Sequence, residues 1–460
     1  MTSSTPTPPK LISAIDESGT VLCVYNRDAK AGSWEAVPPE KTTRGYAKDM
    51  LDVFLPAGYP HTVTPDYTPY QIYDSLQAFS STIAGLLSSR AVLEGFGVGD
   101  STSTATAAVL LTVLQESTGR LATILFAHRF GQAIEPECKR YRFLADVLND
   151  GALALDVLTP ALLSCLSFPS SSSPTSTSTS TTTLALTTTH HYYVRALLLS
   201  ASGILRALCG VAAGAAKASL SAHFARSGHN NLAELNAKDG SQETVISLLG
   251  MLAGSLFVRA VSGTTAVWLS MTVLVAIHLG TNYKAVRAVQ LRTLNRQRAQ
   301  LVLRHYSATG GVLSPALAAG KERVLRWRSP RVDGGGKIAF ARSYPRTDEI
   351  GAADLWRHRG DPYVVVAVLG GGRTIYMKEG ATARDVLAAW FEALFLCSSS
   401  GNSGGKRGEV GGAAAKGGNG ESSVREIMDD EEFWKALASA GWDLNANALE
   451  TGPAIRLRVE

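Results

Sequence analysis

Residues 260–283 read AVSGTTAVWLSMTVLVAIHLGTNY, a stretch without Asp, Glu, Lys or Arg. An apolar segment of about 20 residues is long enough for a helix to cross the hydrocarbon layer of a membrane. The following residues, 284–306, are basic and contain no acid. Because Lys and Arg cluster at the cytosolic ends of such helices and attract anionic lipids, the sequence predicts a membrane span with a basic end at the headgroups. The candidate headgroup contacts are Lys284, Arg287, Arg292, Arg296 and Arg298.

The composition allows a large folded core and excludes several classes of protein. The chain has 460 residues, of which 45% are apolar, and a net charge of only +5. No recognised nucleic-acid module accompanies the basic segment, so we expect lipid partners and no nucleic acid. Five cysteines without a CxxC pair predict reduced thiols rather than disulfides or a zinc site. The first residues lack the pattern of a secretory or transit peptide, so internal segments are expected to enter an intracellular membrane.

The hydrophobic pattern predicts a mainly α protein, a multi-helical membrane-associated bundle with a small C-terminal α+β domain. Residues 1–45 are a polar lead with a short strand near residues 20–25. Residues 46–306 form the helical core, interrupted by a Ser/Thr-rich insertion at 169–189 that is too polar to bury and is expected to be disordered. The basic end of the span is expected to continue as a helix to about residue 306.

Residues 311–460 change to a mixture of strand and helix patterns. A hairpin is predicted from 362–369 and 374–377, which flank a Gly-rich turn. Thr382 and Asp385 have the spacing of a capping box at the start of the next helix. Residues 398–424 are rich in Gly and Ser and are expected to form a disordered linker.

Six segments of the core, in order along the chain, together resemble one protein family. They are FLPAGYPHTVTPDYTPYQIYDSLQ (54–77), GFGVGD (95–100), ESTGRLATILFA (116–127), KRYRFLADVLND (139–150), AELNAKDGSQET (233–244), and HLGTNYKAVRAVQLRTLN with LVLRHY (278–306). In these segments the chain resembles the root UVB sensitive family. The resemblance implies a helical, membrane-associated protein, related to plant proteins tied to vitamin B6 status, auxin transport and root responses to UV-B light.

The resemblance carries over no catalytic residue, and no catalytic motif is recognisable, so we expect the chain not to be an enzyme. Two functions remain open: a partner-dependent regulator or scaffold, and a carrier for a small metabolite such as a B6 vitamer. Expected partners are membrane lipids and either a second family member or another copy of the chain. No resident cofactor is expected, although the link to vitamin B6 makes pyridoxal phosphate an alternative.

The best candidate for a polar cavity or partner surface is a stripe of four side chains near the start of the first core helix, Asp66, Tyr70, Asp74 and Gln77. A solvated helix face is the alternative for this stripe. Arg206 lies within an otherwise uncharged segment and needs a buried partner or a watery cavity. The candidate residues are Asp66, Tyr70, Asp74, Gln77, Arg206, Asn282 and Tyr283.

Three other patterns each have a structural and a functional interpretation. Asp146 and Asp150 could hold a cation, but ion pairing of Asp146 with Arg142 is favoured. Lys238 could form a Schiff base with pyridoxal phosphate, but a loop ending in a helix capped by Ser241 is favoured. Two pairs of small residues have the spacing of close helix contacts in lipid, a spacing that Ala- and Gly-rich soluble bundles also show. These pairs are Gly210 with Gly214 and Gly250 with Gly254.

Overall fold

Ten helices and seven strands make up the part of the chain that the structure describes. A computed structural model describes residues 11–15, 21–27, 34–37, 53–95, 105–166, 180–225, 231–325, 336–343, 358, 360–368, 372–400, 428 and 430–458. The helices are α1 Tyr67–Gly95, α2 Ala105–Ile134, α3 Cys138–Leu166, α4 Ser180–Phe224, α5 Leu232–Ala260, α6 Thr264–Ala288, α7 Arg296–Thr309, α8 Pro315–Lys321, α9 Ala383–Ser400 and α10 Glu431–Ser439. The predicted mainly α class is confirmed.

Three short strands lie in the polar N-terminal lead, where the sequence predicted only one. They are β1 Leu11–Ile15, β2 Val21–Arg27 and β3 Trp34–Val37, and each pairs antiparallel with its sequence neighbour. The other strands are β4 Ile338–Phe340, β5 Tyr363–Val368, β6 Gly372–Lys378 and β7 Arg456–Leu457.

The C-terminal sheet is organised around β6. This strand pairs antiparallel with β5 and parallel with both β4 and β7, so the predicted hairpin is confirmed. The predicted capping box is also present, since the Thr382 backbone N donates to Asp385 Oδ2 at 2.7 Å and the Asp385 backbone N donates to Thr382 Oγ1 at 3.3 Å. Helix α9 and the sheet share a core with α7 and α10 that includes Phe391 and Phe433.

Four helices are long and apolar enough to cross a membrane, whereas the sequence pointed to one. The four segments are Val109–Ile134, Tyr193–Phe224, Leu232–Ala260 and Thr264–Ala288. The span predicted at 260–283 is shifted, because α5 ends at Ala260 and Gly263 adopts a left-handed conformation with φ 85° before α6 begins. A glycine accepts this conformation without steric cost.

The basic segment is not one continuous helix, which corrects the prediction. Helix α6 ends at Ala288 and α7 begins only at Arg296. The Asn295 side chain starts α7 by accepting from the Arg298 backbone N at 2.9 Å, an N-cap contact that satisfies a donor of the first turn. The residues between these helices lie in an irregular connection that includes a bridge from Thr293 to Asp443.

Two predicted disordered segments fall partly outside the described residues. Of the Ser/Thr insertion, residues 169–179 are outside, and α4 already begins at Ser180. A helix can lengthen into such sequence because extension adds hydrogen bonds without a new nucleation step. Of the Gly/Ser linker, residues 401–424 are outside, and α9 continues to Ser400.

The chain divides into two compact units. The first contains Met1–Leu87 and Ala218–Thr281, and the second contains Ser88–Lys217 and Asn282–Glu460. The second unit therefore combines part of the helical core with the C-terminal domain.

Candidate functional site

The start of α1, in the first unit, exposes apolar side chains and buries polar ones. Ile72 and Leu76 are 56% and 51% exposed, whereas Gln71 and Gln77 are 9% and 5% exposed. Buried polar groups are tolerated only when they are hydrogen-bonded, and adjacent exposed apolar side chains are typical of surfaces that lipid or protein covers. This face of α1 therefore suits a membrane or a protein neighbour better than water.

Two of the family-like segments, 54–77 and 233–244, are joined by buried hydrogen bonds. Gln71 Nε2 donates to Asp239 Oδ1 at 2.6 Å and to Gln242 Oε1 at 3.0 Å. Gln242 Nε2 donates in turn to the Phe54 carbonyl at 2.7 Å and to the Tyr67 hydroxyl at 3.4 Å. Burial raises the pKa of Tyr67 to about 12, so this hydroxyl keeps its proton. The network fixes the entry of the chain into α1 against α5.

The prediction of a loop before Ser241 is wrong, since segment 233–244 lies inside α5. Tertiary contacts explain the difference, because Asp239 and Gln242 bind Gln71 on α1, a partner that the local sequence does not reveal. Lys238 on the same helix donates from Nζ to the Val53 carbonyl at 2.9 Å. This amine therefore holds backbone of the segment that precedes α1.

Three of the four stripe residues are buried against α4 or α6 within the first unit. Asp66 Oδ2 lies 2.9 Å from His223 Nε2, and Gln77 Nε2 lies 3.4 Å from His278 Nε2. The Tyr70 ring packs on Phe224 with centroids 5.1 Å apart. These three side chains therefore do not form a solvated face. The fourth, Asp74, is half-buried.

Arg206, in the second unit, has the buried partner that the sequence required but could not identify. The Asp156 carboxylate on α3 accepts from Arg206 Nη2, from Ser88 Oγ at 2.7 Å and from Ser202 Oγ at 2.6 Å. The Asp156 side chain is 0% exposed, and that of Arg206 is 37% exposed. Sequence reasoning missed Asp156, because no local signal connects it to a helix about 50 residues away.

Asn282 and Tyr283, also in the second unit, contact α3 at other positions. Asn282 Nδ2 donates to the Asp146 carboxylate, and the Tyr283 ring meets Phe143 edge-on with centroids 6.3 Å apart. Asp146 therefore serves as an interhelical acceptor. Among the described residues no group of three or more His, Cys, Asp or Glu could hold a metal ion.

Several side chains of the basic segment bind protein groups, and one of its five expected lipid contacts is buried. Arg298 is 1% exposed, and its Nη1 donates to Glu322 Oε1 at 2.7 Å. Lys139 Nζ donates to the other carboxylate oxygen, Glu322 Oε2, at 2.6 Å, and Arg287 Nη1 donates to the Glu322 carbonyl at 2.6 Å. A guanidinium buried in this way cannot reach headgroups, so Arg298 is excluded as a lipid contact.

Two further arginines attach the same segment to the C-terminal domain. Arg292 Nε donates to the Gly441 carbonyl at 3.0 Å, and Arg296 Nε donates to the Leu449 carbonyl at 2.9 Å. The Arg296 guanidinium also lies over the Trp390 ring, 5.3 Å from its centroid. Lys284 and Arg292 are exposed, and Arg287 and Arg296 are half-buried, so the headgroup role stays a prediction for these four residues.

The ionisation of the buried cluster follows from its charges. Burial disfavours the charged form of Glu322, but Arg298 and Lys139 outweigh this effect and lower its pKa. Nearby Glu137 shows the opposite result, because burial raises its pKa more than the surrounding arginines lower it. The pocket between these groups has a volume of about 20 Å³, enough for about one water molecule and too small for a metabolite.

The two glycine pairs differ in what surrounds them. A Cβ added at Gly250 would lie 2.9 Å from Thr82 Cβ, and one at Gly254 would lie 2.7 Å from Leu86 Cδ1. This pair therefore lets α1 approach α5 closely inside the first unit. At Gly210 and Gly214 no described atom lies within 4 Å of the added Cβ.

Comparison with known proteins gives a family for this arrangement. Residues 40–310 match the family model described as the vitamin B6 photo-protection and homoeostasis domain. RUS family member 1 of Dictyostelium discoideum is 36% identical over 286 residues, which are 61% of this chain and 48% of that protein, so the chain spans about half of this relative. No solved structure matches the chain.

Two plant relatives are covered more completely. Protein root UVB sensitive 2, chloroplastic, of Arabidopsis thaliana is 24% identical over 361 residues, 76% of this chain and 73% of that protein. Protein root UVB sensitive 3 of the same plant is 33% identical over 368 residues, 76% of this chain and 75% of that protein. With the family model matching more than half of its length, the chain belongs to the root UVB sensitive family.

Proposed function

We propose that the chain is an integral protein of an intracellular membrane and acts there as a partner-dependent regulator or scaffold in vitamin B6 homeostasis. The observation that carries this proposal is an outward-facing apolar surface on all four candidate spans. One leucine from each span shows the trend, with exposed fractions of 66% to 71%. These are Leu125 (68%), Leu197 (71%), Leu256 (71%) and Leu269 (66%). Such side chains are stable next to lipid tails.

The inward-facing polar groups support a regulator rather than a catalyst. Asp156 accepts three hydrogen bonds from neighbouring helices, and Asp146 accepts one from Asn282. Polar groups that satisfy one another stabilise helix packing and leave few of them to bind a substrate. The C-terminal domain, attached through Arg292 and Arg296, offers a folded surface for a partner.

Extraction of membranes with alkaline carbonate tests the membrane placement. The full-length protein is expected to remain in the membrane pellet, as an integral protein does, while a peripheral marker protein is released. Complete release of the chain into the supernatant would refute the proposal. Immunodetection of an epitope tag in both fractions provides the measurement.

A carrier for a small metabolite is the second candidate, and the partial exposure of Arg206 favours it. Three donations from Arg206 to described residues are present, to Ser202, Ser88 and Asp156, although a guanidinium has five N–H donors. A partly open guanidinium inside a span could bind the phosphate or carboxylate of a transported molecule. This function requires a watery path to Arg206.

Flux into liposomes distinguishes the carrier from the regulator. Purified protein is expected to take up a labelled B6 vitamer if it is a carrier, and Arg206→Gln should lower uptake more than Arg206→Lys, which keeps the charge. Uptake equal to that of empty liposomes, or equal in wild type and both variants, rejects this site.

We propose no resident cofactor and no catalytic step. Pyridoxal phosphate on Lys238 would require its amine to leave the Val53 carbonyl. A pyridoxal phosphate absorbance band in the purified protein that disappears in Lys238→Ala would overturn this part of the proposal.

A further inference from the structure

The family-like segment ESTGRLATILFA, residues 116–127, places two charged side chains on the surface of a candidate span. Glu116 and Arg120 lie on α2 within Val109–Ile134, and their side chains are 65% and 81% exposed. At 1.5 Å per residue, Arg120 lies about 16 Å from Val109, near the middle of a hydrocarbon layer about 30 Å thick. Both charges therefore fall at a depth where lipid solvates them poorly.

The contact of α2 with the rest of the second unit does not use these side chains. Gly119 faces α4, with its added Cβ 3.2 Å from Ala207 Cβ, and Gln115 occupies the space beside Gly203. Glu116 and Arg120 lie on the adjoining face of α2, one residue further along the helix. Within the described residues their ionic contact is with each other, at 3.9 Å between Glu116 Oε2 and Arg120 Nη2.

The pairing of these two charges is long, at 3.9 Å, and both side chains are highly exposed. The pair therefore compensates little for the loss of hydration in lipid. Charged side chains inside a membrane normally face other protein groups or a watery cavity. The face of α2 that carries them therefore requires a neighbour with charges of both signs, spaced one helical turn apart.

We propose that this neighbour is a second copy of the chain, docked through the Glu116 and Arg120 face of α2. A glutamate and an arginine one turn apart are complementary to their own image across a two-fold axis, because Glu116 of each copy can pair with Arg120 of the other. The exposed apolar side chains Val113 and Ile124 lie on the same face of the helix, three residues before Glu116 and four after Arg120, and can extend the contact. The proposal rests on the membrane placement proposed above and names a partner for it.

Charge reversal tests the pairing between copies. Two full-length chains with different epitope tags are co-expressed, and the recovery of one with the other is measured after mild detergent extraction. Wild-type copies are expected to co-purify. Glu116→Arg alone and Arg120→Glu alone should each reduce recovery about ten-fold or more, because both create like charges across the two-fold axis. A matched control, Arg259→Glu on α5, should pair as wild type.

Mixing the two variants gives the decisive measurement. A Glu116→Arg copy co-expressed with an Arg120→Glu copy carries opposite charges at both contacts, so recovery should return toward the wild-type level. Carbonate extraction of every variant separates this proposal from the membrane placement, since loss of pairing with retention in the pellet concerns the interface alone. Failure of wild-type copies to co-purify, unaffected pairing in the single variants, or no recovery in the mixture would overturn the inference.

Discussion

Replacing Glu322 with glutamine is expected to destabilise the second unit strongly, because the change removes the carboxylate that two buried cations share. The carboxylate lies 2.6 Å from Lys139 Nζ and 2.7 Å from Arg298 Nη1, and the three side chains are 7%, 5% and 2% exposed, respectively. The formal charge of this trio is +1 in the wild type and +2 in Glu322→Gln. Removing one member of a buried ion pair typically costs about 3–5 kcal/mol.

Lys139→Met removes one cation that contacts the same carboxylate, so it lowers the charge of the trio, whereas Glu322→Gln raises it. The remaining pair of Glu322 and Arg298 is neutral, so this variant should lose less stability than Glu322→Gln. The comparison separates the effect of uncompensated charge from the loss of a single hydrogen bond. Equal destabilisation by the two variants would refute the reasoning from charge.

Tryptophan fluorescence of the detergent-purified protein during thermal unfolding provides the assay. Trp434 and Trp442 are buried in the C-terminal domain and report on its unfolding. Glu379→Gln is the matched control, because Glu379 pairs with Arg458 at the surface, where ion pairs contribute little. A Glu322→Gln melting temperature no lower than that of this control would contradict the assigned role.

The stabilising effect of Glu322 should also depend on pH. Its pKa is lower in the folded chain than in the unfolded chain, so its contribution is complete above the unfolded carboxyl pKa of about 4.3 and is lost as the pH falls through the folded pKa. The gap in stability between wild type and Glu322→Gln should therefore shrink below about pH 4. A gap that is constant down to pH 3 would contradict ionisation of Glu322 as the cause.

Two further substitutions test the helical core. Gly250→Leu should destabilise the protein by about 1–3 kcal/mol, because an added Cβ already lies 2.9 Å from Thr82 Cβ, whereas Gly210→Leu, with no described atom within 4 Å, should melt near the wild type. Asp156→Asn should cost about 3 kcal/mol, near the lower limit for a broken buried ion pair because Arg206 remains partly exposed. Thermal unfolding measures both, and a value for Asp156→Asn equal to that of the surface control would exclude it as the counter-ion.

Patterns that are local in sequence predicted their structures well. The hairpin of β5 and β6 and the capping box of Thr382 depend on neighbouring residues, and both are present. Membrane spans were harder to find, because a search for charge-free segments rejects a helix that contains Arg206. The charge is tolerated through Asp156, a residue about 50 positions away that only the fold brings near.

The candidate site shows the same limit. The sequence identified Asp66 and Gln77 as members of a polar stripe, but not that His223 and His278 lie against them. The basic segment was also interpreted by its charge alone. Its arginines could equally serve lipid or protein, and the acceptor Glu322 lies on a part of the chain where no pattern indicated burial.

Glu322 lies beyond the family match, which ends at residue 310, yet both cations that contact its carboxylate, Lys139 and Arg298, lie within that match. The end of the family match therefore separates this carboxylate from the two cations that it contacts. A fragment ending at residue 310 would carry an uncompensated pair of positive charges, and a chimera that exchanges C-terminal tails between relatives needs an acid in the equivalent position. Over evolutionary time, position 322 is expected to change together with positions 139 and 298 rather than with its neighbours in sequence.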